Sequence, residues 1–230
     1  MMEEDIRLCT PCTLIITGGS NSGKTQLAID LVSQHRQVFK TPAVELIWCH
    51  SPQANITPVH RLADELRADN VRVRLFDRFP LQEFKTRTLI PQDSPTQQHR
   101  IICFDDMLTT DLGASSERCR AIQEIFNVVS HHQELSVILT IQNIAGYTGT
   151  QRQCISSLLR SCSYLAINVN RRMIPIVRQI ATSYYSGETW RLIDSYRDML
   201  CSEQPFQNLT LDFVNMSPDP LRTACHRRTV

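Results

Sequence analysis

The sequence predicts an α/β protein with a mostly parallel central sheet flanked by helices. Two observations predict this class. Short apolar segments alternate along the chain with longer segments of helical apolar spacing, and this order is typical of strands joined by helical crossovers. In addition, a loop rich in glycine and serine separates the first apolar segment from the first helical one. A loop in that position frequently binds phosphate.

That loop, residues 18–25, fits G-x-x-x-x-G-K-[ST] at every fixed position. Its small residues let backbone N–H groups curve around a phosphate, and the start of the helix adds the positive end of its dipole. Lys24 can reach the β- and γ-phosphates of a nucleotide, and the Thr25 hydroxyl can hold Mg²⁺. The predicted nucleotide contacts are Gly18, Gly19, Ser20, Asn21, Ser22, Gly23, Lys24, Thr25 and Gln26.

The strands follow from short apolar segments and their flanking residues. The alternation of apolar and basic residues at 71–76 predicts a half-exposed edge strand, whereas the continuous apolar segments at 100–104 and 137–141 predict buried strands. Pro42 marks the start of another strand. The predicted strands are 13–17, 43–48, 71–76, 100–104, 137–141, 164–168 and 207–213.

The helices follow from apolar residues at helical spacing. In 58–69 these are Val59, Leu62 and Leu66, and in 115–132 they include Ile122 and Phe126. The predicted helices are 23–36, 58–69, 81–86, 115–132, 151–160, 174–185 and 188–200.

The 230 residues and their ordinary composition fit one domain. We expect an N-terminal segment at 1–12, a nucleotide-binding domain at 13–213 and a basic C-terminal tail at 214–230. No apolar segment approaches the ~20 residues of a membrane span, and the acidic start lacks the features of a secretion signal. Nine scattered cysteines predict reduced thiols in the cytosol, the nucleus or a cytoplasmic viral compartment.

Acidic residues follow the strand predicted at 100–104. Asp105 stands where a carboxylate that helps to hold Mg²⁺ is expected. Asp106 follows it directly, and alternation along a strand would turn its side chain elsewhere unless the strand has ended. If it has ended, Asp106 could orient the attacking water or accept its proton.

An amide follows the strand predicted at 137–141. Gln142 can donate to a phosphate oxygen and accept from water. Ligands of open α/β sheets bind at the carboxyl ends of strands, so Lys24, Asp105, Asp106 and Gln142 are expected to converge.

Phosphoryl transfer also needs positive charge at the transition state, which an arginine of a neighbouring subunit commonly supplies. The candidates are Arg152, Arg160, Arg171 and Arg172.

Several of these motifs together resemble the genome-packaging ATPases of double-stranded DNA viruses and virus-like transposons, in the FtsK/HerA group of P-loop ATPases. The poxvirus and the Polinton–adintovirus types are the most similar. The resemblance covers roughly residues 13–223. It is carried by residues 18–25, the segment Ile101–Met107, the segment Ser130–Asn143 with its histidines and its Gln-Asn end, Arg152–Ser156 and Pro218–Thr223.

This resemblance implies a homo-oligomeric ring around double-stranded DNA that uses ATP and Mg²⁺ to fill a capsid. It also implies an additional strand between the loop strand and the Asp105 strand, with Gln142 as a polar sensor, and a capsid or portal-vertex protein as partner. The expected location is the host nucleus, a cytoplasmic viral factory or the virion. Many relatives carry a glutamate as the base at the position of Asp106, and close relatives have Arg-Asp at the position of Arg171-Arg172. Arg171 keeps the matching arginine and is therefore the favoured candidate for the transition-state arginine.

Two other functions stay open. A nucleotide or nucleoside kinase also uses such a loop, and arginines between 152 and 178 could cover its phosphates. A non-hydrolysing protein could use ATP to gate its assembly.

Overall fold

The computed structural model describes residues 7–91, 98–107, 116–142, 144, 149–184, 187, 189–202 and 207–214. The strands are β1 Thr13–Thr17, β2 Glu45–His50, β3 Arg72–Phe76, β4 Arg100–Asp105, β5 Leu135–Ile141, β6 Tyr164–Asn168 and β7 Asn208–Asp212. The helices are α1 Lys24–Ser33, α2 His35–Val38, α3 Thr57–Ala68, α4 Leu81–Lys85, α5 Ser116–Glu124, α6 Ser130–His132, α7 Gly149–Ser161, α8 Ile174–Tyr184 and α9 Thr189–Cys201. A π-helical turn, Ile125–Val129, joins α5 to α6, and a 3-10 turn, Arg171–Met173, precedes α8.

The strands form one sheet in the order β3-β2-β4-β5-β1-β6-β7. All neighbouring pairs are parallel except β6 and β7, so the predicted fold class is confirmed. β5 lies between β1 and β4, as the resemblance implied, and β3 lies at an edge, as its alternating pattern predicted. The loop after β1 therefore shares one end of the sheet with the ends of β4 and β5.

Apolar side chains cover both faces of the sheet. On one face Leu14 and Trp48 pack against residues of α1 and α3, including Leu31 and Leu62. On the other face the sheet packs against α5, α7, α8 and α9. The continuous apolar strands thus belong to the middle layer of three, which explains why they carry no polar face.

The structure differs from the prediction at several elements. β2, expected over 43–48, covers Glu45–His50, and α7, expected over 151–160, begins at Gly149. The helix expected over 23–36 is interrupted at Gln34, whose ψ of 25° is no longer helical. The helix expected over 115–132 contains the π-helical turn. β5 begins at Leu135 rather than at residue 137. The strand can include the buried Ser136 because the serine hydroxyl has partners: it accepts from Cys12 N at 3.1 Å and lies 2.7 Å from His99 Nε2.

The described part of the N-terminal segment packs on the domain, since Leu8 and Cys12 are buried and Leu8 pairs with Phe39. Of the expected C-terminal tail, only Val214 belongs to the described residues. None of the described helices combines the length and the apolar character that a membrane crossing needs.

Candidate nucleotide-binding site

The predicted phosphate loop connects β1 to α1 and adopts left-handed backbone angles at two positions. Gly23, directly before α1, has φ of 88°, and Asn21 has φ of 58°. Glycine adopts such an angle without strain, and asparagine tolerates it better than most residues. The loop therefore turns sharply into the first turn of α1, where backbone N–H groups have no partner within the helix.

Lys24 is the first residue of α1 and is only 8% exposed. Its Nζ donates to the Gly19 carbonyl at 2.8 Å, so the ammonium lies inside the curve of the loop. Burial lowers the pKa of Lys24, whereas the charges of Asp106 and Asp105 act in the opposite direction. A buried ammonium with one carbonyl partner retains donors for an anion.

Asp105, the last residue of β4, is 4% exposed and accepts hydrogen bonds from two threonines. The Thr25 hydroxyl lies 2.9 Å from Oδ1 and 3.0 Å from Oδ2, and the Thr140 hydroxyl donates to Oδ1 at 2.8 Å. Burial raises the pKa of Asp105, and the Asp106 charge adds to the rise, while the hydrogen bonds from Thr140 and Thr25 and the Lys24 charge lower it. A cation at this place would offset the cost of burying the carboxylate.

Asp106 turns toward the same place because β4 ends at Asp105. Its φ of 54° is left-handed, and its N–H donates to the Thr140 hydroxyl at 2.8 Å. Gln142 Nε2 donates to Asp106 Oδ2 at 2.6 Å, and Ser20 Oγ lies 3.4 Å from Gln142 Oε1. A chain of polar contacts thus runs from the loop through Gln142 to Asp106.

These side chains line a cleft of about 540 Å³. Its lining residues are Ser20, Asn21, Ser22, Gly23, Lys24, Thr25, Gln26, Ile29, Ala54, Asn55, Pro58, Asp105, Asp106 and Gln142. Four predicted site residues converge here as expected: Lys24, Asp105, Asp106 and Gln142. Gly18 and Gly19 are not among the lining residues.

The segment after β2 also lines the cleft, through Ala54, Asn55 and Pro58. Sequence reasoning missed it. β2 is the neighbour of β4, with His50 opposite Asp105, so the connection that follows β2 must begin at this end of the sheet. A prediction of the strand order would have found it.

Arg171 lies apart from these residues. It is exposed on the 3-10 turn after β6 and does not belong to the residues that line the cleft. Arg152, Arg160 and Arg172 are exposed as well. Within one chain, the structure thus brings none of the four arginine candidates into the cleft lining.

The residues of the cleft fit a nucleotide with a magnesium ion. No side chain fits at Gly18, because a Cβ there would lie 2.6 Å from Ser22 Oγ and 2.8 Å from Asn168 Cβ, so the loop needs a glycine to keep its close curve. Thr25 and Asp105 supply adjacent hard oxygen atoms, which Mg²⁺ prefers. Among the described residues, no group of three or more His, Cys, Asp or Glu side chains could hold a metal, and Mg²⁺ at phosphate sites typically uses few protein ligands.

No protein-family model and no curated protein sequence match the chain. Solved structures do. One is the genome packaging NTPase B204 from Sulfolobus turreted icosahedral virus 2 in complex with AMP, with a TM-score of 0.53, 13% identity, and coverage of 90% of this chain and 94% of that one.

The same NTPase in complex with ATP-γS gives a TM-score of 0.48 at 12% identity, covering 94% of this chain and 96% of that one. A KaiC-like protein from Pyrococcus horikoshii gives 0.44 at 14% identity, covering 69% and 71%. The fold comparison rests on the AMP complex, which matches over nearly the whole of both chains. Together with the strand order, it shows that the protein has the α/β fold of the P-loop NTPases.

Proposed function

We propose that this protein binds ATP with Mg²⁺ in the cleft and hydrolyses it. The observation that carries this proposal is the contact of the Thr25 hydroxyl with the Asp105 carboxylate, beside the Gln142–Asp106 contact. The contact between Thr25 and Asp105 joins the phosphate loop, which follows β1, to a carboxylate on β4. β4 is not a neighbour of β1 in the sheet. A loop that bound phosphate without a metal would have no need of this buried carboxylate.

Each cleft residue has a distinct part in this proposal. Lys24 would exchange the Gly19 carbonyl for phosphate oxygens. Thr25 and Asp105 would hold Mg²⁺, which, when bound, neutralises charge on the phosphates. Asp106 would accept the proton of the attacking water. Gln142 would fix the direction of that carboxylate by donating to Oδ2, while its oxygen faces Ser20.

We further propose that hydrolysis drives movement of double-stranded DNA during viral genome packaging, in a homo-oligomeric ring of the FtsK/HerA type. The fold-level likeness to a genome packaging NTPase supports this proposal, as do the motifs given above. Arg171 is exposed and could reach the cleft of a neighbouring subunit, where it would stabilise the transition state. A capsid or portal-vertex protein would be the partner, in the nucleus, a viral factory or the virion.

The test is an ATPase assay with and without duplex DNA, together with a mass measurement of the assembly. We expect Mg²⁺-dependent hydrolysis that duplex DNA stimulates, and a ring whose mass is a multiple of 26.4 kDa. Stimulation should weaken steeply with salt, because the DNA contacts would be to phosphates.

The same measurements, with a nucleoside or nucleoside monophosphate added as phosphate acceptor, distinguish the two other functions. Phosphate transfer to an added nucleoside or nucleoside monophosphate would favour a kinase. ATP-dependent oligomerisation with negligible turnover would favour a nucleotide-gated assembly protein. The contact of Gln142 with Asp106 supports hydrolysis, since an oriented carboxylate beside the phosphate loop could accept the proton of water.

A further inference from the structure

The phosphate loop is also supported from the side opposite to β5. β6 is the other neighbour of β1, and Ile167 pairs with Thr17. The next residue, Asn168, therefore lies beside the start of the loop. Asn168 is 2% exposed, and none of the site roles proposed above involves it.

Asn168 contacts the loop at two points. Its Nδ2 donates a short hydrogen bond to the Ser22 carbonyl. Its Cβ lies 2.8 Å from the position that a Cβ on Gly18 would occupy. The amide of Asn168 thus fits into the curve of the loop only because residue 18 has no side chain.

The hydrogen bond from Asn168 fixes the direction of a loop N–H. The Ser22 carbonyl and the Gly23 N–H belong to one planar trans peptide, in which the two groups point in opposite directions. Because Asn168 holds the carbonyl on the β6 side, the Gly23 N–H is directed away from β6. Both Ser22 and Gly23 line the cleft.

The end of β6 is itself held in place by Tyr196 of α9. The Asn170 N–H donates to the Tyr196 hydroxyl at 2.8 Å, and that hydroxyl lies 3.2 Å from the Asn168 carbonyl. Tyr196 is 1% exposed. Asn170 Oδ1 in turn accepts from Arg172 N at 2.9 Å. These hydrogen bonds therefore connect Asn168 with the turn that contains Arg171.

The Asn168 side chain has a buried oxygen that accepts no hydrogen bond from the described part of the chain. Among the described residues, neither its Oδ1 nor the Ser22 hydroxyl has a hydrogen-bond partner, although both are buried. A buried amide with one oxygen unsatisfied costs stability, so an apolar residue would serve packing at least as well.

We propose that Asn168 is a positioning residue, whose amide holds the Ser22 carbonyl so that the loop presents its N–H groups to a nucleotide phosphate. The inference rests on the proposed nucleotide binding and adds a determinant of affinity on the β6 side. The amide acts on the ligand only through the loop.

The test compares Asn168 variants with a matched control. N168A removes the amide, and N168L removes it but keeps side-chain bulk beside Gly18. The control is N208A, because Asn208 lies opposite Asn168 in the β6–β7 pair, is 3% exposed and accepts from Thr210. For each variant, the dissociation constants of ADP and of pyrophosphate are measured with Mg²⁺, beside the melting temperature of the nucleotide-free protein.

Both Asn168 variants should bind ADP about tenfold more weakly than the wild type, with an equal loss for pyrophosphate, because the loop contacts only phosphates. N208A should stay within about twofold of the wild type, even where it lowers the melting temperature. Wild-type affinity in N168L, or an equal loss in N208A, would overturn the inference and leave the proposed function intact. Failure of the wild type to bind ADP would overturn both.

Discussion

The hydroxyl of Thr25 lies 2.9 Å from Oδ1 of Asp105, although the two residues are 80 positions apart in the chain. Thr25 belongs to the first turn of α1, which follows β1, and Asp105 ends β4. In the sheet, β5 lies between β1 and β4. The contact needs a strand order that places both ends at one edge. It therefore links the fold directly to the proposed metal site.

Two replacements of Thr25 distinguish the role of its hydroxyl from the role of its side-chain volume. T25V keeps the volume but loses the oxygen, and we expect it to lower the rate of ATP hydrolysis about 100-fold, since a metal contact is lost. T25S keeps the hydroxyl and should retain most of the activity. The measurement is the steady-state rate as a function of Mg²⁺ concentration. Equal rates for T25V and T25S would exclude a role of the hydroxyl.

Replacing Lys24 should remove phosphate binding. K24A loses the buried ammonium, so the affinity for ADP should fall about 100-fold or more. K40A is the control, because Lys40 is exposed and outside the cleft lining. Calorimetric titration with ADP measures both variants. An affinity of K24A equal to that of K40A would refute the site.

Replacing Asp106 or Gln142 should reduce turnover and leave binding intact. Because Gln142 donates to the carboxylate at 2.6 Å, Q142A should leave that carboxylate less well directed and slow hydrolysis about 10–100-fold. D106N should slow it at least as much. ADP titration should give wild-type affinities, and a large loss of affinity in either variant would assign these residues to binding instead.

Extending the acid at position 106 tests the departure from the resembling ATPases. D106E introduces the glutamate that many of them carry and keeps a carboxylate at this position. If Asp106 accepts the proton, D106E should hydrolyse ATP faster than D106N by a factor of at least about 100. Similar single-turnover rates for D106E and D106N would contradict the proposed base.

The buried His99 should make folding stability depend on pH. Burial lowers the pKa of His99 from 6.5 to about 4, so between these values the unfolded chain binds a proton that the folded protein does not. Stability should therefore fall as the pH drops through this window, by about 3 kcal/mol in total. In H99Q the change of stability with pH should be smaller. H60Q is the control, because His60 is exposed, and it should keep the wild-type dependence. Urea unfolding at several pH values measures the slopes, and an unchanged slope in H99Q would contradict the expectation.

Much of the site could be predicted because its residues follow strands in the sequence. The loop pattern specified Lys24 and Thr25, and buried strands ending in polar residues indicated Asp105 and Gln142. The direction of Asp106 could not be predicted, because it depends on a left-handed backbone angle held by Thr140. The position of β5 came from the resemblance alone, since periodicity does not order strands.

Other residues of the site could not be recognised from the sequence. Asn168 is the last residue of a strand in the prediction and in the structure, and only the pairing of β1 with β6 brings it to the loop. The predicted β5 began too late because of Ser136. A serine beside an apolar segment indicates a strand boundary unless its buried hydrogen-bond partners are known. Asn55 belongs to the cleft only because β2 is the neighbour of β4.

The placement of β5 makes the proposed hydrolysis sensitive to changes far from the cleft. Ser136 lies near the start of β5 and Gln142 directly follows its end, about 20 Å away at ~3.3 Å per residue. Contacts with Cys12 and His99 hold Ser136 at the opposite end of the sheet. A slip of β5 by a single residue would turn every side chain on it to the other face, so inactive variants can arise where no ligand ever comes.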